Sequence, residues 1–213
     1  NAACLFRPTN HESLVEAMML IPQNESIFPL GRGSNLLISD QGTQGLVLDL
    51  SELNHLYVDN TMAVVGAGVR MSKLAQAAAN AGLSGLEFMA TVPGDLGGGI
   101  AMNAGAFGQQ VSDVLVSVTV LHRDGSIQTL ERDDLNMVYR YTALPKGALV
   151  LSATFELMED EIEAVKARMR EMRKKRSDSQ PLALPNCGSV FKNPEGDFAA
   201  RLIESVGLKG HQS

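Results

Sequence analysis

The sequence predicts an α+β fold, and three observations carry that expectation. Strand and helix patterns are both present and intermixed, from "GLVLDL" (residues 45–50) and "TMAVVGAGV" (61–69) to "MSKLAQAAANAG" and "EDEIEAVKARMREMRKKR". Hydrophobic residues make up 45% of the chain and charged residues 20%, the balance of a protein that buries a core. The 213 residues leave room for one large domain or two small ones, with no internal repeat or low-complexity tract.

"PTNHESLVEAMMLI" opens a helix. Thr9 and Glu12 have capping-box spacing, and Leu14, Val15, Met18 and Ile21 form its apolar face. "SIFPLGRGSN" reads as a short strand running into a glycine turn, and residues 45–50 and 61–69 follow as strands. The next helix turns Leu74, Ala77, Ala78 and Ala81 to one side and stops at Gly82. "TVPGDLGGGIAMNAGAFG" (91–108) then holds six glycines. Each costs about 1 kcal/mol against alanine in a helix interior, and glycine weakens strands too. Beyond it, "VSDVLVSVTVLHRDGSIQTLERDDL" reads as a hairpin turning at Asp124-Gly125, and "ALVLSATFEL" as a central strand. A long helix carries Ile162, Val165, Met169 and Met172 on one stripe. A polar link from Ser177 to Pro185 leads to "NCGSVFKNP" and to a last helix, "DFAARLIESVG", stopped by Gly207. Boundaries fall near residues 54–60 and 157–160.

The net charge of −6 argues against a nucleic-acid partner. Two cysteines, Cys4 and Cys187, cannot build a disulfide framework and fit a reducing compartment. No apolar run approaches 18 residues and no signal peptide is evident, so a soluble cytoplasmic protein without a membrane partner is expected. No His/Cys/Asp cluster has metal-ligand spacing.

"LGRGSNLL" (30–37) can aim successive backbone N–H groups at one point, which suits a phosphate, or it can be a tight turn needing positive φ. It is not a Walker loop, since no Gly-Lys-Ser/Thr follows. Gly66-x-Gly68 resembles a Rossmann fingerprint only superficially. Met71 stands where the third glycine belongs, and a strand end feeding a helix accounts for it better. The two glycine-rich segments, GRGSN and PGDLGGG, suggest one long anionic ligand of dinucleotide size, against a close-packed crossing for the second. In "YRYT", Arg140 stands between Tyr139 and Tyr141. It is either a carboxylate or phosphate clamp or a surface arginine. Ser189 in "NCGSVFKNP" could be a nucleophile, though no histidine is an obvious partner, or a hydroxyl that donates a proton. His11, His55, His122 and His211 are scattered, which disfavours a Ser-His-Asp hydrolase. Seven basic residues between Lys166 and Arg176 read as a solvated helix face or, for one or two of them, as phosphate contacts.

Taken in order, "LGRGSNLL", "LEFMATVPGDLGGGIAMNAGAFG", "YRYT" and "LPNCGSVFKNP" resemble the UDP-N-acetylenolpyruvoylglucosamine reductase (UDP-N-acetylmuramate dehydrogenase) family, in its compact type II form. The resemblance covers nearly the whole chain. It implies a vanillyl-alcohol-oxidase/PCMH-type FAD-binding fold: two α+β subdomains (1–56 and 57–157) and a C-terminal α+β substrate domain (158–213). It implies non-covalent FAD at Gly31, Arg32, Gly33, Ser34, Asn35, Thr91, Pro93, Gly94, Gly97, Gly98, Ala101, Asn103 and Gly105. Asp95 is expected to turn away or be hydrogen-bonded, and Cys187 to be a small packing residue.

The implied reaction belongs to peptidoglycan synthesis, and with it to cell shape and division. NADPH reduces FAD and leaves. UDP-N-acetylglucosamine enolpyruvate enters and receives hydride from flavin N5 at its vinyl carbon. By resemblance, Arg140 stabilises the enolate and Ser189 donates the proton, while Tyr139, Lys192 and Asn193 contact substrate. The family also has an N-terminal flavin-binding segment that would precede Asn1 and a catalytic glutamate that would follow Ser213, so a fragment is expected. Two rival readings are a related sugar or hydroxy-acid oxidase and a non-catalytic nucleotide-sugar binding module.

Overall fold

The structure is a computed structural model that describes residues 2–180 and 188–211; the expectation for Cys187 lies outside the described residues. The chain divides into two compact units between Arg176 and Ser177.

The first unit opens with β1 (Ala2–Phe6), α1 (His11–Leu20), β2 (Ile27–Leu30) and β3 (Thr43–Asp49). The three strands form a parallel sheet of order β1-β3-β2. Helix α1 starts one residue later than Thr9 would allow. Asn10 is the cap: its backbone is extended, and its side chain accepts from the Ser13 amide at 2.8 Å. Ser13 completes the box in place of Glu12. Asparagine is among the strongest N-caps, which moves the box from Thr9/Glu12 to Asn10/Ser13.

Next come β4 (Leu56–Asp59), β5 (Met62–Gly66), α2 (Met71–Asn80), β6 (Leu83–Ser84), α3 (Leu96–Ala101), β7 (Gly105–Ala106) and β8 (Gln109–Gln110). They are followed by β9 (Leu115–Leu121), β10 (Ile127–Glu131), β11 (Leu149–Glu156), β12 (Met158–Glu159) and α4 (Ile162–Ser179). The main sheet is antiparallel, with order β10-β9-β11-β5-β4. From it, Ala63, Val65, Val118, Val120, Ala153 and Phe155 share a core with Leu74, Ala75, Ala78 and Ala79 of α2. Alanines on that helix face let α2 sit close to the strands. Helix α4 adds Val165 and Met169 to the same core and is tied down by Arg168, which bridges buried Glu87 and Asp160.

A β-bulge in β11 lets that strand serve two cores. Val150 pairs with Val120 but Ser152 pairs with Thr119, so Leu151 is one residue extra. The insertion reverses which face the following residues take. Before it, Leu149 and Leu151 join Leu14, Met18, Leu46 and Leu48 in a second core; after it, Ala153 and Phe155 turn to the first. The Leu151 carbonyl accepts from the Ala67 amide at 2.9 Å. Gly66 and Gly68 let the 50–53 segment approach closely: a Cβ would lie 2.2 Å from the Leu53 carbonyl at the first and 2.4 Å from the Leu50 carbonyl at the second.

The second unit contains α5 (Ala199–Ser205), none of whose residues is buried. Among the described residues, no helix is long and apolar enough to cross a membrane, and no group of three or more His, Cys, Asp or Glu side chains is placed to hold a metal ion.

Candidate active site

The Gly31–Asn35 loop leaves the end of β2 and turns at Gly33, whose φ of +68° suits glycine. The turn is closed by the Leu36 amide donating to the Gly33 carbonyl at 3.2 Å. Among the described residues, the amides of Arg32, Gly33, Ser34 and Asn35 donate to no protein acceptor. Four successive free N–H groups make a concavity for an anion. The loop rests on the second glycine segment. Ser34 Oγ donates to the Pro93 carbonyl at 3.2 Å, and a Cβ on Gly94 would lie only 2.7 Å from Ser34 Oγ. The structure thus brings together segments about 60 residues apart.

The three successive glycines of α3 have different jobs. A Cβ at Gly97 would stand 3.1 Å from Ala67 Cβ, and one at Gly99 would stand 2.6 Å from Met71 Sδ. Both glycines let α3 pack on the segment that joins β5 to α2. A Cβ at Gly98 would meet nothing within 4 Å, and Gly98 is exposed. Bare backbone facing open space has no packing reason to be bare. It is what a flat ligand laid against the helix requires. Helix formation across three glycines is imposed by tertiary contacts: the Leu96 amide bonds the Val69 carbonyl, and the Gly97 amide bonds the Ala67 carbonyl, both at 2.9 Å.

Asp95 turns inward. It is 5% exposed, and neither carboxylate oxygen has a hydrogen-bond partner. A Cβ on Gly31 would approach its Oδ2 to 3.2 Å, so the carboxylate lies directly under the GRGSN loop. Burial pushes its pKa up, against the pull of Arg32 and Arg70. Of the two arrangements expected from the sequence, hydrogen bonding to protein is not the one adopted.

Arg140 sits on a tight turn in which Val138 and Tyr141 exchange backbone hydrogen bonds of 3.0 and 3.1 Å. Its φ is +58°, the left-handed region, unusual for a long side chain and costing about 1 kcal/mol or more. The guanidinium donates to the Gly105 carbonyl at 2.8 Å and stands 4.8 Å from the Tyr139 ring centroid. Phe107 also has positive φ, in the two-residue turn joining β7 to β8. Asn103 is fully buried with a φ of +37°. Its amide donates to Ser112 Oγ and the Val138 carbonyl, and its carbonyl oxygen accepts from the Ser112 amide. Asn103 thus clamps the glycine-rich segment to the turn that carries Arg140.

Two further braces escaped the sequence reading. Thr142 Oγ1 donates to the Ile100 carbonyl at 2.5 Å, and Arg176 donates to the Thr91 carbonyl. Thr142 stands in the quoted YRYT motif, so position could have flagged it. Nothing in the basic run distinguished Arg176 from its neighbours. Thr91 is buried with its hydroxyl bonded to the Phe88 carbonyl, Pro93 is exposed, and Ala101 is half-buried.

Ser189, Lys192 and Asn193 lie in the second unit and are exposed. Asn193 Oδ1 accepts from the Ala199 amide at 3.1 Å, at the start of α5.

Residues 2–131 match the profile of an FAD binding domain, and residues 180–213 that of a UDP-N-acetylenolpyruvoylglucosamine reductase C-terminal domain. The UDP-N-acetylenolpyruvoylglucosamine reductase of Latilactobacillus sakei is 40% identical over 99% of this chain and 70% of its own length. That of Listeria monocytogenes is 42% identical over 96% of this chain and 69% of its own. The chain belongs to the UDP-N-acetylenolpyruvoylglucosamine reductase family. It is therefore an oxidoreductase with an α+β FAD-binding fold. The solved reductase of Thermus caldophilus is 34% identical over 98% of this chain and 74% of that one, with a TM-score of 0.82. A glucose dehydrogenase, Phl p 4.0202, shares the fold over 73% of this chain at 16% identity and a TM-score of 0.55.

FAD fits the residues present. The free amides of the GRGSN loop suit its diphosphate, and the open face at Gly98 suits a planar ring.

Proposed function

We propose that the protein catalyses the FAD-dependent, NADPH-driven reduction of UDP-N-acetylglucosamine enolpyruvate to UDP-N-acetylmuramate, a cytoplasmic step of peptidoglycan synthesis. The observations that carry this reading are the free amides of Arg32–Asn35, the open backbone face at Gly98 and the Gly105 carbonyl that holds Arg140. FAD, held there without a covalent bond, supplies the hydride that reduces the substrate's vinyl group, and NADPH replenishes it.

The protein's own part is electrostatic and acid–base. Reduction leaves negative charge on the carbon beside the substrate carboxylate. Arg140 opposes that charge. Its left-handed backbone, its bond to Gly105 and its stacking on Tyr139 fix the cation before the charge develops, so little reorganisation is needed. Ser189 gives that carbon its proton, and Tyr139, Lys192 and Asn193 hold the substrate. In this reading residues 1–56 and 57–157 supply the cofactor site, and residues 158–213 the substrate side.

The two half-reactions test it. Arg140→Ala should slow substrate-driven flavin reoxidation at least 100-fold, about 2.7 kcal/mol of transition-state stabilisation, and leave reduction by NADPH within a few-fold. Equal slowing of both in stopped-flow traces would assign Arg140 a shared binding or structural role instead.

A further inference from the structure

Beside the GRGSN loop lies a cleft of about 600 Å³ whose charged lining is all positive: Arg32, Arg70, Lys73 and Arg173. Three separate elements contribute them. Arg32 comes from the glycine loop, Arg70 and Lys73 from the start of α2, and Arg173 from α4. All four are exposed, and none makes an ion pair with a carboxylate among the described residues. The Asp95 carboxylate attracts Arg32 and Arg70 but bonds neither. Four unpaired cations in one concavity, on a chain of net charge −6, concentrate field against the sign of the whole molecule. Helix α2 adds to it. It begins at the cleft with no side-chain cap and no acidic residue in its first turn, so its positive end is unopposed. Ser72 and Gln76 supply uncharged donors along the same wall.

We propose that this cleft binds the phosphate groups of a nucleotide ligand, with Arg70, Lys73 and Arg173 as the charge-bearing contacts. The proposal rests on the reading of the protein as a nucleotide-using flavoenzyme. It extends the anion site from the backbone amides of Arg32–Asn35 to side chains on two helices. Charged donors of this kind add affinity and speed encounter, and both gains weaken with salt. Two sources offer the same chemistry: the cofactor's own diphosphate, and the phosphates of the reducing nucleotide.

The test uses the full chain, flavin-loaded and flavin-stripped, with Lys73→Glu and Arg173→Glu. Both positions are exposed, so circular dichroism melts should match those of the parent protein. Calorimetry measures ADP and 2′,5′-ADP at 20 mM and 150 mM salt, and fluorescence measures FAD affinity. If the cleft serves the reducing nucleotide, 2′,5′-ADP binds the loaded protein, and each variant weakens it about tenfold or more. If it serves the cofactor, the probes bind only the stripped protein, and each variant weakens FAD by a similar factor. The proposal is overturned if FAD and probe affinities stay within twofold of the parent, or if no probe binds either form while FAD affinity is unchanged. A preparation that never binds flavin would overturn the parent reading instead, a separate outcome.

Discussion

Replacing Gly98 with alanine separates a glycine kept for a ligand from one kept for packing. The added methyl would meet no protein atom within 4 Å, and the position lies inside a helix. Alanine is favoured over glycine there by about 1 kcal/mol. The flavin-free variant should therefore melt about 2–4 °C higher than the parent protein. If FAD lies against this backbone, the same methyl intrudes on it. Overpacking of that kind costs about 1–3 kcal/mol, which weakens FAD binding roughly 5- to 150-fold. Gly99→Ala is the internal control. Its methyl would stand 2.6 Å from the sulfur of Met71, which is 2% exposed, so it should lower the melting temperature of the flavin-free protein. Adjacent glycines thus carry opposite expectations for stability. Differential scanning fluorimetry reads the first effect and flavin fluorescence titration the second. A Gly98→Ala protein that is more stable and binds FAD within twofold of the parent would refute the assignment of this surface to the cofactor.

Ser189→Cys retains a transferable proton and should keep measurable turnover. Ser189→Ala should lose about 100- to 10,000-fold in substrate-driven reoxidation while NADPH-driven reduction is spared; normal turnover by the alanine variant would remove Ser189 from the mechanism. Acid precipitation of the loaded protein should leave FAD in the supernatant, and flavin in the pellet would mean a covalent link. Burial, helped by the facing His11 ring 5.5 Å away, pushes the His55 pKa below its ordinary 6.5. A base held neutral in this way favours the folded state fully above pH 6.5, and that contribution is lost as pH falls through the lower folded value. The urea midpoint should therefore drop between pH 7.5 and 5.5, and drop less in His55→Gln; identical pH slopes would exclude this pair as a source.

Periodic apolar patterns and breakers marked most elements of the first unit. α2, β9, β11 and α4 stand close to where apolar spacing and flanking glycines put them. β1 went unread because residues 2–6 have no preceding turn signal to frame them. α3 was opaque for a stronger reason. Its glycines oppose a helix locally, and only the hydrogen bonds to Ala67 and Val69 overrule them. Within the site, Gly33 and Gly98 were legible as glycines without a side-chain role. The division of labour among Gly97, Gly98 and Gly99 was not, because it depends on where Ala67 and Met71, 30 and 28 residues earlier than the glycines they meet, arrive in space. Asn103 illustrates the same limit. Its side chain clamps the 111–113 and 138–141 turns to the glycine segment, through partners 9 and 35 residues further along the chain.

The extra residue at Leu151 bears on how a ligand can get in. Because β11 gives Leu149 and Leu151 to one core and Ala153 and Phe155 to the other, a single continuous strand runs through both cores. Hinging them apart would strip Leu14 and Met18 from their neighbours, at about 1.5–3 kcal/mol for each large side chain exposed. Rigid-body breathing between the sheets is therefore the expensive motion, and access is expected to come from the 31–38 loop, whose Leu36, Leu37 and Ile38 are all exposed. Amide exchange should then be fast in that loop and slow, at matching rates, in β3 and β11. The two sheets would unlock together in one cooperative event.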